Sequence, residues 1–359
     1  MSGTFSGTFS ETRSFHIVPQ PNNASAPPLA IVRKHWFLAA LAAAMGVGFS
    51  APVLVLRVEE VPGLRSGIVA GVLFLMGLTI PSRSFATALR HPAAGLLACG
   101  VNMVVVPLLA ALGGWLLPES LAGGLIVAAA APCTLASAVV WTRQGNGDEA
   151  VAMLVTTITN LLCFLVAPAT ILLLLGKSVP LSFSDSATKL VLLVVVPLVL
   201  AQSFRQYARF AKWTQSQKGL LTNLSLAGIL VMVSLGSAHS QGKSGGDFPE
   251  GGTLASQALV LTVLLALAVH LIALAGGWIS SGMLGLSRPQ RVAVAISGSQ
   301  KTLMVGLQLA IDCGVSTIPM VIYHLGQLLC DTLVVSRLQA NAAGSVPENQ
   351  ALSAGEGRE

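Results

Sequence analysis

The sequence is poor in charge. Only 9% of its 359 residues are Asp, Glu, Lys or Arg, against roughly a quarter in a water-soluble domain. With 20 basic and 14 acidic residues, the chain cannot cover the surface of a soluble globule. That excludes a soluble single-domain enzyme, a disordered chain and a nucleic-acid binder. Chemistry-bearing motifs are missing too. There is no HExxH and no Glu-rich metal pair, so no enzymatic centre is expected. No filter-like loop or ring of charge suggests a channel. The five cysteines, Cys99, Cys133, Cys163, Cys313 and Cys330, have neither metal-ligand spacing nor the look of a secreted disulfide framework. Each reads as a small buried hydrophobe. Residues 1–30 lack the apolar core of a signal peptide.

What is present is hydrophobic: 53% of residues, with a mean hydropathy of +0.77. A helix needs roughly 20 apolar residues to cross a bilayer. Ten stretches qualify, near 36–56, 64–80, 92–117, 120–142, 150–176, 187–204, 219–238, 257–279, 291–311 and 315–335. Assigning alternate loops to opposite sides puts fourteen Lys and Arg residues on the side that holds both termini. Five fall on the other side, and Lys301 alone lies inside a span. By the positive-inside rule both termini are cytoplasmic. The expectation is an all-α polytopic protein of the plasma (inner) membrane, with a transporter body over 35–338. The polar segments 1–34 and 339–359 read as disordered cytoplasmic tails.

Three short matches recur in the same order. Gly113-Gly114-Trp115 matches Gly276-Gly277-Trp278, Thr134-Leu135 matches Thr302-Leu303, and Leu161-Leu162-Cys163 matches Leu328-Leu329-Cys330. Asn160 and Gln327 precede the last pair. The matches set spans three to five against spans eight to ten, an offset of five that inverts orientation. Two inverted five-helix repeats, 35–178 and 186–338, follow. Spans four and nine also share a flaw. One carries Pro132, which removes a backbone donor and clashes with the preceding turn. The other carries Ser297, Gly298, Ser299 and Thr302 near its centre. Two interrupted spans in corresponding positions point to a transport site near the midplane.

These residues resemble the bile acid:sodium symporter superfamily, nearest the sodium/bile acid cotransporter 7 branch and its bacterial relatives. The resemblance rests on LFLMGLTIP (73–81), APCTLASAVVWTRQGNGDEAVA (131–152), SGSQKTLMVG (297–306) and IYHLGQLLCDTLVVSRL (322–338). It implies panel and core domains, with the two broken helices crossing in the core. It also implies a cation site at Asn102, Ser137, Thr156 and Gln300, for Na⁺ in sodium-coupled members. This chain departs from that pattern in three places. Ala138 follows Ser137 where Asn is usual, Ile296 stands at the usual acidic position, and Lys301 replaces the usual Asn.

The expected function is secondary active transport of a small organic anion by alternating access, coupled to Na⁺ or H⁺, with no other cofactor. Substrate is expected at Pro132, Cys133, Thr134, Lys301 and Thr302. The Lys301 ammonium either stands in place of Na⁺ or binds the substrate's anionic group. His324, Gln327 and Asp331 share one helical face, and with Asn160 and His270 they form an intramembrane polar network. Asp331 would pair with Lys301 or with a histidine. An arsenite-type permease using Cys133 as a soft ligand and a non-transporting membrane regulator are the alternatives. The bilayer is the surrounding partner, and homo-oligomerisation stays open.

Overall fold

The computed structural model describes residues 28–80, 92–242 and 252–344. The distal tails and the loops carrying Arg83, Arg90 and Lys243 lie outside the described residues. Among the described residues all regular structure is helical. The helices are α1 (Pro28–Ser50), α2 (Pro52–Leu56), α3 (Leu64–Thr79), α4 (Pro92–Gly114), α5 (Glu119–Ala130), α6 (Ser137–Gln144), α7 (Glu149–Leu175), α8 (Phe183–Arg205), α9 (Ala208–Ser216), α10 (Lys218–Gly242), α11 (Gly252–Met283), α12 (Arg288–Ser299), α13 (Leu303–Cys313) and α14 (Ile318–Gly344). Helix α1 begins before residue 35 and α14 ends after 338, so the helical body extends past the expected limits at both ends.

Among the described residues six helical stretches are long and apolar enough to cross a membrane: Pro92–Gly114, Glu149–Leu175, Phe183–Arg205, Lys218–Ser240, Ala255–Met283 and Ile318–Ala340. The other four expected spans are short or broken, and the breaks have identifiable causes. Helix α1 stops before Pro52. Helix α5 stops at Ala130, because the residue before a proline is pushed out of the helical region and Ala131 adopts φ −61°, ψ 149°. Helix α12 stops at Ser299, where Gln300 turns extended (ψ 143°), and α13 restarts after Thr302 (ψ 126°). Asp148 caps α7 by accepting from the Ala150 and Val151 amides, which fixes where the chain re-enters after α6.

The helices pack as two groups. Helices α1, α2, α3, α8, α9 and α10 contact one another, and α4–α7 with α11–α14 form the second group. The groups meet where α8 lies on α7, α10 on α13 and α14, and α3 on α13. Leu41, Leu73, Met232 and Leu235 of the first group share one apolar core with Leu303, Leu307 and Met320 of the second.

Candidate functional site

Two prolines shape the site from its backbone. Helix α4 makes a π turn over Val101–Val105, closed by the Val106 amide bonding to the Val101 carbonyl. The next bond in that pattern would come from residue 107 to the Asn102 carbonyl. Residue 107 is proline and has no N–H, so the Asn102 carbonyl is left for another donor. In α5, Pro132 turns the Ala131 carbonyl out of the helical ladder. Both carbonyls accept from Lys301 Nζ, Asn102 at 2.5 Å and Ala131 at 2.9 Å. Asn102 Oδ1 accepts from the same nitrogen at 3.1 Å. The Asn102 amide nitrogen donates to the carbonyls of Ser297, Gly298 and Gln300. It thereby caps the broken end of α12. Gly298 permits this approach, since a Cβ there would lie 3.1 Å from the Val101 side chain.

The two breaks meet directly. The Thr302 amide donates to the Pro132 carbonyl at 2.8 Å. Thr134 Oγ1 and Ser137 Oγ both donate to Gln300 Oε1, at 2.7 and 2.9 Å. Gln300 Nε2 donates to Asp331 Oδ2, and His270 Nε2 lies 3.1 Å from Asp331 Oδ1. Asp331 therefore pairs with His270 and Gln300, not with Lys301. Tyr323 Oη donates to the Ser299 carbonyl, closing the same end of α12.

Each break is also held by a side-chain amide from the second helix after it, α7 or α14. Gln327 accepts from the Lys301 amide at 2.8 Å and donates to its carbonyl at 2.9 Å. Asn160 donates to the Cys133 carbonyl at 2.8 Å, while the Cys133 amide donates to Thr159 Oγ1. Asn160 is one methylene shorter than Gln327 and makes only half of the corresponding clamp. Its Oδ1 is buried without a partner. Thr156 Oγ1 donates to the Thr134 carbonyl at 3.1 Å and lies 3.7 Å from Cys133 Sγ.

A cavity of about 480 Å³ opens over this crossing. Thr134, Ser137, Thr302 and His324 line it on the polar side, with Phe37, Met76, Leu226 and Ile229 on the opposite wall. Among the described residues no charged side chain lines it. It reaches Gln144 and Gln339, at the end of the bundle away from Cys313. Pro132, Cys133 and Lys301 do not line it, and Cys133 and Lys301 are fully buried. The first turns of α6 and α13 start at the cavity, and their amides lack intrahelical acceptors.

Of the residues nominated for a cation, Asn102 is spent on Lys301 and α12. Ser137 and Gln300 bond each other, and Thr156 bonds the α5 break. The site also contains contributors that sequence reading missed: the Ala131 carbonyl, Thr159 and Tyr323. Backbone oxygens leave no mark in a sequence. Tyr323 lies one turn before Gln327 in IYHLGQLLCD, and that spacing could have placed it on the same face.

The family described as "SBF-like CPA transporter family (DUF4137)" matches residues 35–340. The chain belongs to that family. It is a multi-pass integral membrane protein of the bile acid:sodium symporter kind, related to transporters and not to enzymes. It is 23% identical to "Sodium/bile acid cotransporter 7" of Rattus norvegicus, over 86% of this chain and 94% of the relative. It is 24% identical to "Probable sodium/metabolite cotransporter BASS4, chloroplastic" of Arabidopsis thaliana, over 83% of this chain and 71% of the relative. An uncharacterized protein of Pseudomonas aeruginosa is 25% identical, over 74% and 80%.

Proposed function

We propose that the chain is a secondary active transporter of an amphipathic organic anion, working by alternating access at the crossing of its two broken helices. One observation carries the reading: the first turns of α6 and α13 converge on the floor of a cavity that, among the described residues, no charged side chain lines. Helix N-termini carry partial positive charge, which suits an anionic group; in α6 the Ala138 amide already donates to Thr134 Oγ1. The Thr302 hydroxyl adds a donor, while those of Thr134 and Ser137 are spent on Gln300 Oε1. The apolar wall from Phe37 to Ile229 suits the hydrocarbon part of the same molecule.

The packing supports a ten-span architecture of two inverted halves, 35–178 and 186–338. The paired amide clamps on Cys133 and Lys301 are what such a repeat would produce. The group holding α1–α3 and α8–α10 is then the panel, and the group holding α4–α7 and α11–α14 is the core. Movement of core against panel alternates access. The charge bias favours the inner (plasma) membrane with cytoplasmic termini. The relatives' names carry bile acid, metabolite and sodium, and the class they suggest here is an organic anion.

Full burial of Cys133 against Thr156 favours this reading over an arsenite-type permease, whose soft ligand would have to meet the cavity. The test is a thermal-stability screen of the purified protein against amphipathic carboxylates and sulfonates, each beside an uncharged analogue. Selective stabilisation by the anions is expected. A protein stabilised equally by the uncharged partners, or by none of the compounds, would discredit the proposal, and with it transport in favour of a regulatory role.

A further inference from the structure

We infer that Lys301 is a tethered cation: its ammonium fills the oxygen cage behind the crossing, and this transporter uses no sodium ion there. The consequence for coupling rests on the transporter reading above, while the geometry stands without it. An ammonium donates three hydrogen bonds and accepts none. Lys301 Nζ faces three acceptors, the Asn102 carbonyl, Asn102 Oδ1 and the Ala131 carbonyl. A neutral amine has only two N–H groups and would strand one of them. The amide orientation of Asn102 is fixed, because its nitrogen already serves three carbonyls of α12. An oxygen must therefore face the lysine.

All three cage oxygens are neutral, and no carboxylate among the described residues lies within ion-pair distance of Lys301. Two of them are carbonyls exposed by the prolines at 107 and 132. Ala131 also sits at the C-terminal end of α5, where the helix dipole favours a cation. This is the donor set a hard cation would choose, and the lysine has taken it. Gln327 grips the Lys301 peptide on both sides, so the side chain starts from a fixed point. A sodium ion does not fit beside it. The oxygens are already spent, and a second positive charge in a low-dielectric cage would be repelled. The sodium in the relatives' names is thus met by a covalently attached charge at this position.

The experiment is a melting curve of the purified full-length protein, with sodium exchanged for choline at constant ionic strength. The wild-type protein melts at the same temperature in both salts. Lys301→Ala vacates the cage, and sodium then raises its melting temperature by about 2 °C or more relative to choline, because an ion bound only to the folded state stabilises it. Lys301→Gln serves if the alanine variant does not fold, and the wild-type arm needs no variant. Sodium-specific stabilisation of the wild-type protein overturns the inference. So does a folded variant that remains indifferent to sodium. Neither readout requires transport, so failure of the organic-anion reading would leave this test intact.

Discussion

Among the described residues, Lys301 and Asp331 are the fully buried residues of opposite formal charge at the crossing, and they do not touch. Asp331 binds Gln300 and His270, while Lys301 binds oxygens contributed by α4 and the end of α5. An unpaired second cation near 4 Å would cost about 4 kcal/mol even at an effective dielectric constant near 20. One positive charge at this point is therefore all the geometry tolerates. Gln327 makes the arrangement rigid, because it alone serves both polar groups of the Lys301 peptide. Gln327→Leu strands a buried N–H and a buried C=O, at roughly 1–3 kcal/mol each. The expected result is a large fall in melting temperature. A melting temperature within a degree of wild type would mean that water or His324 replaces the clamp and that the lysine is not held as described.

At the scale of helices, proline has an unusual task here. Replacing an interior helical proline by alanine normally stabilises a helix by up to about 3 kcal/mol. Pro107→Ala should not do so. The new amide would compete for the Asn102 carbonyl and take an acceptor from Lys301, so the melting temperature should stay level or drop. A clear rise would show that the free carbonyl matters little. Much of this element-level structure could be read from residue types. Pro132 and the run Ser297-Gly298-Ser299 announced the two interruptions, and long apolar stretches announced the six long spans. The lysine's partners could not be read in the same way. Asn102 is 199 residues away in sequence, and its spare carbonyl depends on a π turn that no residue pattern announces without coordinates. Sequence reasoning offered Asp331 either to Lys301 or to a histidine. The folded chain gave it to His270, and to Gln300 as well.

Across the whole molecule, the cavity and a charged tie between the two helix groups lie at opposite ends. The cavity runs out to Gln144 and Gln339. At the far end Asp312 of α13 accepts from Arg65 of α3 at 3.0 Å and from Lys189 of α8 at 2.7 Å, with Gln308 bonded to the same carboxylate. This tie joins one helix group to the other where the cavity is closed. Asp312→Ala should release it and favour opening at that end. The neighbouring Cys313, only 2% exposed, would then react several-fold faster with an alkylating reagent, as read by mass spectrometry of its peptide. An unchanged rate at Cys313 would place the closure elsewhere.

The central claim, that the meeting of two broken helices forms the substrate site, is tested most directly by initial uptake of a labelled amphipathic anion into proteoliposomes. Wild type is compared with Thr302→Val, which removes a cavity-floor hydroxyl while keeping side-chain volume. The account predicts saturable uptake by the wild type, with a KM raised several-fold in the variant at similar melting temperature. Saturable uptake left untouched by the substitution, or shared equally by an uncharged analogue, would contradict it.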